Sequence, residues 1–219
     1  MMKNIPENEN RRPQLIETPN KFAANSWHAG CTDDLEYPVN EKHPINCISW
    51  LGLRDLCLWL GGDLPTEAQW ERAARNGHDG LNDTYWLYPW GNELAGCDRC
   101  IMANDIPGCG RYSTAPVASL YAHPSGLYDM SGNVSEWVLD WYHYPYEEGI
   151  SGLDPTGPTG DYSFLKVTRG NDYRDRNGHY SRPFWVAHRI SGKYNGDGGA
   201  SVHGGRCARL VKDLSEPDT

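Results

Sequence analysis

Three places in this chain hold side chains whose types and spacing could do chemistry. In "GLYDMSGNVSEW", Asp129 and Glu136 bracket Gly132 and Val134, and the glycine permits a sharp bend. Two carboxylates on a bent loop suit a hard cation such as calcium, which takes about six to eight oxygens from carboxylates and backbone carbonyls. Spacing alone reads more simply as a turn capped by Asp129 beside a surface charge at Glu136. In "CDRC", Cys97 and Cys100 form a C-x-x-C with Cys109 nearby. No fourth ligand stands in that segment, so zinc, a disulfide among the three, and free thiols all stay open.

The third place is the stretch from Val167 to Leu210, which keeps no period of 2 or 3.6 after its first few residues. It carries Asn171, Asp172, Tyr173, Asp175, Asn177, His179, Tyr180, Ser181, Phe184, Trp185, Tyr194, Asn195 and His203. Rigid aromatics for area, small polar groups for adaptable hydrogen bonds and arginines for anchoring make a contact surface. The competing reading turns Phe184 or Trp185 inward to hold a loop. His179, His188 and His203 with Asp172 or Asp175 are the types of a histidine–carboxylate iron centre, at a spacing that fits no such motif. Ser181 has no nucleophile elbow around it.

These residues need a frame, and the composition says which kind. The chain has 219 residues, enough for one domain with a real core. Nine tryptophans and thirteen tyrosines accompany 24 glycines and 15 prolines, which points to irregular backbone pinned by amphipathic aromatics. A net charge of -9 argues against nucleic acid as the main partner. No apolar run is long enough to insert in a membrane. The start, "MMKNIPENENRRPQLIETPN", lacks the apolar core of an export signal, so the expectation is cytoplasmic production, with display on a virion or cell surface left open.

Two helices are readable. In "CISWLGLRDLCLWLGG", Trp50, Leu53, Leu56, Cys57 and Leu60 recur at spacings of three and four, ending at Gly61. In "LPTEAQWERAARNG", Thr66 and Gln69 form a capping box, Glu67 stands in the first turn, Trp70, Ala73 and Ala74 share a face, and Gly77 suits the end. Beyond it come short segments: "TAPVASLY", "FLKVTRG" and "GRCARLVK" read as strands, and "YPWGNE" as a turn. The organisation expected is a flexible lead-in over 1–25, a single α+β domain over 26–212 with 170–205 as its binding segment, and a tail over 213–219.

"HPINCISW", "LPTEAQWERAARNG", "YPWGNE", "TAPVASL", "GLYDMSGNVSEW", "VTRG" and "GRC" stand in the order and approximate spacing of the formylglycine-generating enzyme family, which this chain resembles from His43 to Leu210. The resemblance implies a C-type-lectin-like fold, low in regular secondary structure. It implies one calcium on the Asp129 and Glu136 side chains and the Gly132 and Val134 carbonyls. A second family calcium, starting at the position of Asn104, is not expected, because the short loop after it lacks the later acidic ligand. The same resemblance implies that Cys57 and Cys207 match a pair that some members join as a disulfide.

Catalytic members use copper held by two cysteines after the strand matching "VTRG", since soft thiolates bind Cu(I). This chain has no cysteine from Val167 to Gly205, and Asp175 and Tyr180 stand near the expected positions. Copper is therefore not expected. Ser135 also replaces the tryptophan expected before Glu136. The reading is a non-catalytic binder of a protein or glycan ligand. It further resembles the variable proteins of diversity-generating retroelements, which place hypervariable residues in this last segment. The alternatives are a formylglycine-type oxidase with an altered metal site and a fixed carbohydrate or protein binder.

Overall fold

The computed structural model describes residues 31–32, 41–77, 85–103, 113–143, 165–175, 186–187, 189–193 and 202–209. Helix α1 spans Trp50–Trp59 and α2 spans Glu67–Ala74, followed by strands β1 (Ser135–Trp141), β2 (Leu165–Arg169), β3 (Ile190–Lys193) and β4 (His203–Gly204). The sheet order is β3-β2-β1-β4. β1 pairs antiparallel with β2 and parallel with β4, and β2 pairs antiparallel with β3. Two helices on a small sheet make this an α+β domain. None of the described helices is long and apolar enough to cross a membrane.

Both helices start as their local chemistry dictates. The Ser49 hydroxyl accepts the Gly52 N–H at the head of α1. At α2, Thr66 Oγ1 accepts from the Gln69 N–H at 3.1 Å, and Gln69 Oε1 accepts from the Thr66 N–H at 2.9 Å. The Asp140 carboxylate, from β1, accepts the Glu67 N–H at 2.6 Å and so caps the same helix from the sheet. α2 closes with the Gly77 N–H on the Arg72 carbonyl.

The strands sort their side chains between two cores. Trp137 packs with Trp50, Leu53, Cys57 and Leu64, so α1 covers one face of the sheet. Val138 and Val167 pack with Trp70, Ala74, Met130 and Val186, so α2 covers the other. The buried indoles keep their N–H groups satisfied: Trp50 donates to the Val138 carbonyl at 2.7 Å and Trp137 to the Ile48 carbonyl at 3.0 Å. A disulfide joins Cys57 of α1 to Cys207 just beyond β4, across 150 residues, and Cys31 is bonded to Cys47 ahead of α1. Closing so long a loop stabilises by about 5 kcal/mol in the chain-entropy model.

Some sequence expectations give way here. The Thr114–Tyr121 stretch is not a strand: the Asn133 amide takes both the N–H and the carbonyl of Ala115, and Ala118 sits at φ 57°. In "GRCARLVK" only Ala208 makes a bridge, to Asp63, among the described residues. Leu60 lies past the end of α1 and is 51% exposed rather than core.

Between the two layers lies a buried ionic network. Arg169 of β2, 1% exposed, donates to Glu67 Oε1 and Glu71 Oε2, each at 2.5 Å, and to the Val186 carbonyl. Arg189 donates to both oxygens of the same Glu67, at 2.6 and 2.8 Å. Removing one member of such a set strands the others' charge away from water. Glu67→Gln is expected to destabilise the domain by about 3–5 kcal/mol, read from the denaturant midpoint. A loss below about 1 kcal/mol would show that water screens the pair of arginines after all.

Candidate functional site

The loop before β1 and the loop after β2 meet and hold each other. Gly132 donates its N–H to the Gly170 carbonyl at 2.6 Å, Asn133 donates to the Ile101 carbonyl, and Tyr173 donates to the Asn133 carbonyl. Asp129, Gly132, Asn133, Gly170 and Asn171 all have positive φ, a run of left-handed backbone. At Gly132 a side chain is also sterically excluded, because a Cβ there would stand 2.3 Å from the Ile101 carbonyl oxygen. Asn133 then clamps the neighbouring loop through the bidentate pair with Ala115 described above.

Within this loop Glu136 is 4% exposed and fully engaged. Its Oε2 accepts from Trp70 Nε1 and Arg206 Nε, both at 2.6 Å, and its Oε1 accepts from Arg206 Nη2 at 2.5 Å. Arg206 also donates to the Tyr128 carbonyl at 3.0 Å. Asp129 Oδ2 accepts the Ala118 N–H at 2.9 Å. Burial, and then the nearby Glu136 charge, raise the Asp129 pKa above its ordinary value. Two carboxylates and the carbonyls of a bent loop are the right kind of donors for calcium. Arg206 already lends Glu136 one positive charge, so a calcium ion would share that carboxylate with it. Sequence reasoning missed Arg206 and Trp70 as partners of Glu136. The arginine in "GGRC" and the tryptophan in "AQWE" carried no local sign of a contact spanning 70 and 66 residues.

Burial corrects the start of the segment expected to bind. Asn171, Asp172 and Tyr173 are 0%, 5% and 3% exposed, so they are inner residues and not contact residues. Tyr173 packs with Ile101, Ala115 and Val202. Asp175, half-buried, turns inward: its Oδ2 accepts from Asn171 Nδ2 and from the Asp172 N–H, both at 3.1 Å. Asp172 Oδ1 in turn accepts the Arg174 N–H at 2.8 Å. The physical reason is that the chain must turn sharply after Gly170, and two interlocked aspartate turns supply the acceptors that the lost sheet partners would have given. The half-buried His203 ring lies tilted against Trp137, with ring centroids 4.8 Å apart and planes 50° apart. Asn177, His179, Tyr180, Ser181, Phe184, Trp185, Tyr194 and Asn195 lie outside the described residues, as does His188.

The cysteine alternatives are also resolved. Cys97 is disulfide-bonded, while Cys100 is a buried free thiol. Burial, with the Asp98 carboxylate adding to it, pushes the Cys100 thiol up to about 12. With Cys97 bonded, the C-x-x-C does not offer two thiolates to zinc, and the raised thiol makes Cys100 a poor nucleophile at neutral pH.

The model of the sulfatase-modifying factor enzyme 1-like domain matches residues 8–211. The formylglycine-generating enzyme of Thermomonospora curvata is 35% identical over 178 residues, covering 76% of this chain and 55% of that protein. The serine/threonine-protein kinase Pkn1 of Chlamydia trachomatis is 35% identical over 178 residues, 80% of this chain and 25% of the kinase. The inactive C-alpha-formylglycine-generating enzyme 2 of Bos taurus is 34% identical over 152 residues, 64% of this chain and 47% of the relative. The chain thus spans between a quarter and about half of the length of these relatives. Among solved structures, PvdO from Pseudomonas aeruginosa matches with TM-score 0.59 and 26% identity, over 78% of this chain and 63% of that one. Treponema denticola variable protein 1 shares the fold, with TM-score 0.59 and 20% identity, over 76% of this chain and 70% of that one.

Two buried carboxyls give the domain a pH signature. Burial raises Asp172 to about 6, helped by the Asp175 charge, and raises Asp140 to about 6, helped by Glu67. A carboxyl whose folded pKa lies above the unfolded 3.8 holds its proton more tightly when folded. Its contribution therefore favours the fold below about pH 4 and is lost as pH rises through 6. His123 works oppositely. Burial, then Arg206, lower it to about 4, so acid costs stability between the ordinary 6.5 and 4. Asp172→Asn keeps the acceptor and removes the charge. It is expected to stabilise the domain at pH 7 by on the order of 1–3 kcal/mol and by almost nothing at pH 4. Equal effects at both pH values, in paired denaturant titrations, would contradict the assignment.

Proposed function

The chain belongs to the sulfatase-modifying factor family, and from that premise we propose that it binds a ligand instead of generating formylglycine. The observation that carries the proposal is the absence of any cysteine from Val167 to Gly205, where catalytic members place the thiolates for Cu(I). Asp175, standing near one of those positions, holds the backbone turn together through Asn171 and Asp172. A relative whose name declares it inactive supports the view that this domain persists without the chemistry. The contact residues in this reading are Asn177, His179, Tyr180, Ser181, Phe184, Trp185, Tyr194 and Asn195, with a protein or glycan as the ligand. The buried anchors Asn171, Asp172 and Tyr173 drop out of that set, as do Asp175, turned inward, and His203, set against Trp137.

The finer proposal is that this segment varies among copies of the gene, as in retroelement-diversified proteins. The fold shared with Treponema denticola variable protein 1 supports it. So does the division between buried residues at the start of the segment and a remainder whose sequence is aperiodic and rich in aromatics. Calcium belongs to the same proposal as a fastener of the loop, held by Asp129, Glu136 and the carbonyls of Gly132 and Val134. It would add rigidity behind the binding segment and no ligand contact.

A second reading, an oxidase of the formylglycine type with an altered metal site, draws on the 35% identity to the Thermomonospora enzyme. Incubation with Cu(I), dioxygen and a cysteine-containing sulfatase peptide separates the two. No conversion of cysteine is expected, and turnover would end the binding-only proposal.

Sequencing the gene across many isolates should find substitutions concentrated between residues 177 and 195, with Asn171–Tyr173 constant. A uniformly constant segment would remove diversification and leave a fixed binder. In parallel, Tyr173→Ala should cost about 3–5 kcal/mol, as for other buried aromatics, while Tyr180→Ala and Trp185→Ala leave the melting temperature nearly unchanged. Added calcium should raise the melting temperature of EDTA-treated protein. An unchanged curve would mean that Arg206 alone secures the loop.

A further inference from the structure

One face of α1 has no partner among the described residues. Trp50, Leu53 and Cys57 face the core, while Leu51, Leu58 and Trp59 are 45%, 51% and 50% exposed, and Asp55 is exposed among them. Leu51 and Leu58 are seven residues apart and so form one line along the helix. Arg54 and Asp55 are about 100° apart around the helix and flank that line on opposite sides. Leu60 continues the apolar surface past the helix end.

We infer that this face pairs with the same face of a second copy of the chain, with the two α1 helices parallel. The charges choose both the occupant and the direction. Asp63 takes Nε and Nη2 of Arg54, at 3.0 and 3.1 Å, leaving the Nη1 edge of that guanidinium for a further carboxylate. Asp55 stands in no ion pair among the described residues and carries the charge such an edge would meet. Antiparallel helices bring like edges together and would set Asp55 against Asp55. Parallel helices bring opposite edges together, so each Asp55 meets the other copy's Arg54 while the leucines stack on themselves.

A ten-residue helix is only about 15 Å long, short of what an interface of roughly 1,600 Å² needs. The pair is therefore weak and concentration-dependent. On the proposed binding function, two segments carried on one dimer gain avidity, which gives the pairing a use.

Sedimentation equilibrium of the full chain tests this. The weight-average mass should rise from 24.6 kDa towards twice that value as concentration increases through the hundreds of micromolar, on the order expected for a small interface. Leu58→Glu, at an exposed position, should hold it at the monomer mass with an unaltered melting curve. Asp55→Lys should weaken association at least about tenfold, the ordinary cost of setting like charges together across an interface. Under mild oxidation, Leu51→Cys alone and Leu58→Cys alone should each cross-link to themselves. Cross-linking only when the two variants are mixed would establish the antiparallel pair and overturn the inference. So would a constant monomer mass, or association that Leu58→Glu does not disturb.

Discussion

The fold depends on one buried carboxylate, Glu67, in the first turn of α2. It receives Arg169 from β2 and Arg189 from the approach to β3, three charged groups taken largely out of water together. None of them is affordable alone. Glu71 shares the load on Arg169, and the Arg169 guanidinium lies over the Trp70 ring at 5.2 Å. Trp70 passes the connection to Glu136, and Glu136 to Arg206. A single relay of charge and indole thus links α2, β2, β1 and the final segment of the chain. Elements too short to be stable by themselves are placed by it.

That relay explains how irregular backbone can be held to a fixed shape. The stretch after β2 leaves the sheet at Gly170, is pinned by Asn171, Asp172 and Tyr173, touches the frame again at Val186, Arg189 and β3, and returns at Val202 and His203. The residues at each touch have named neighbours: Tyr173 its apolar cluster, Arg189 the Glu67 carboxylate and the His143 carbonyl, His203 the Trp137 ring. In the proposed reading, what lies between such anchors changes composition without altering the core. A binding protein needs that separation, and a catalytic one tolerates it less, since reacting groups must be held to within a fraction of an ångström.

How much of this was legible in the sequence follows from the range of the interactions. The start of α2 was readable to the residue because its capping box is local, while its end falls at Ala74, before the Gly77 that the sequence suggested. α1 was readable because its inner stripe is periodic. β1 was not, since Ser135 to Val138 are buried on both faces of the sheet and show no alternation. Thr114–Tyr121 looked like a strand by composition, yet a side-chain amide from Asn133 outcompeted any ladder there. The aromatic and polar run from Asn171 suggested a contact surface, but its first three residues are interior. Residue type could not show this, because the bonds that accompany the burial of Asn171 and Asp172, to Asp175 and Arg174, form in the folded turn. The pairing of Glu67 with Arg189 spans 122 residues and leaves no local trace. The resemblance to a known family supplied what periodicity could not.

The bond between Cys57 and Cys207 has a meaning beyond stability. It ties the first helix to the end of the last strand, so that almost the whole domain, including the stretch proposed to meet ligands, lies inside one covalent ring. A protease that cut this ring once would open it without releasing a fragment. Both pieces would remain joined through sulfur, and the cores on either side of the sheet would keep their shared strands. A surface exposed to hostile enzymes can then be nicked and still remain one molecule.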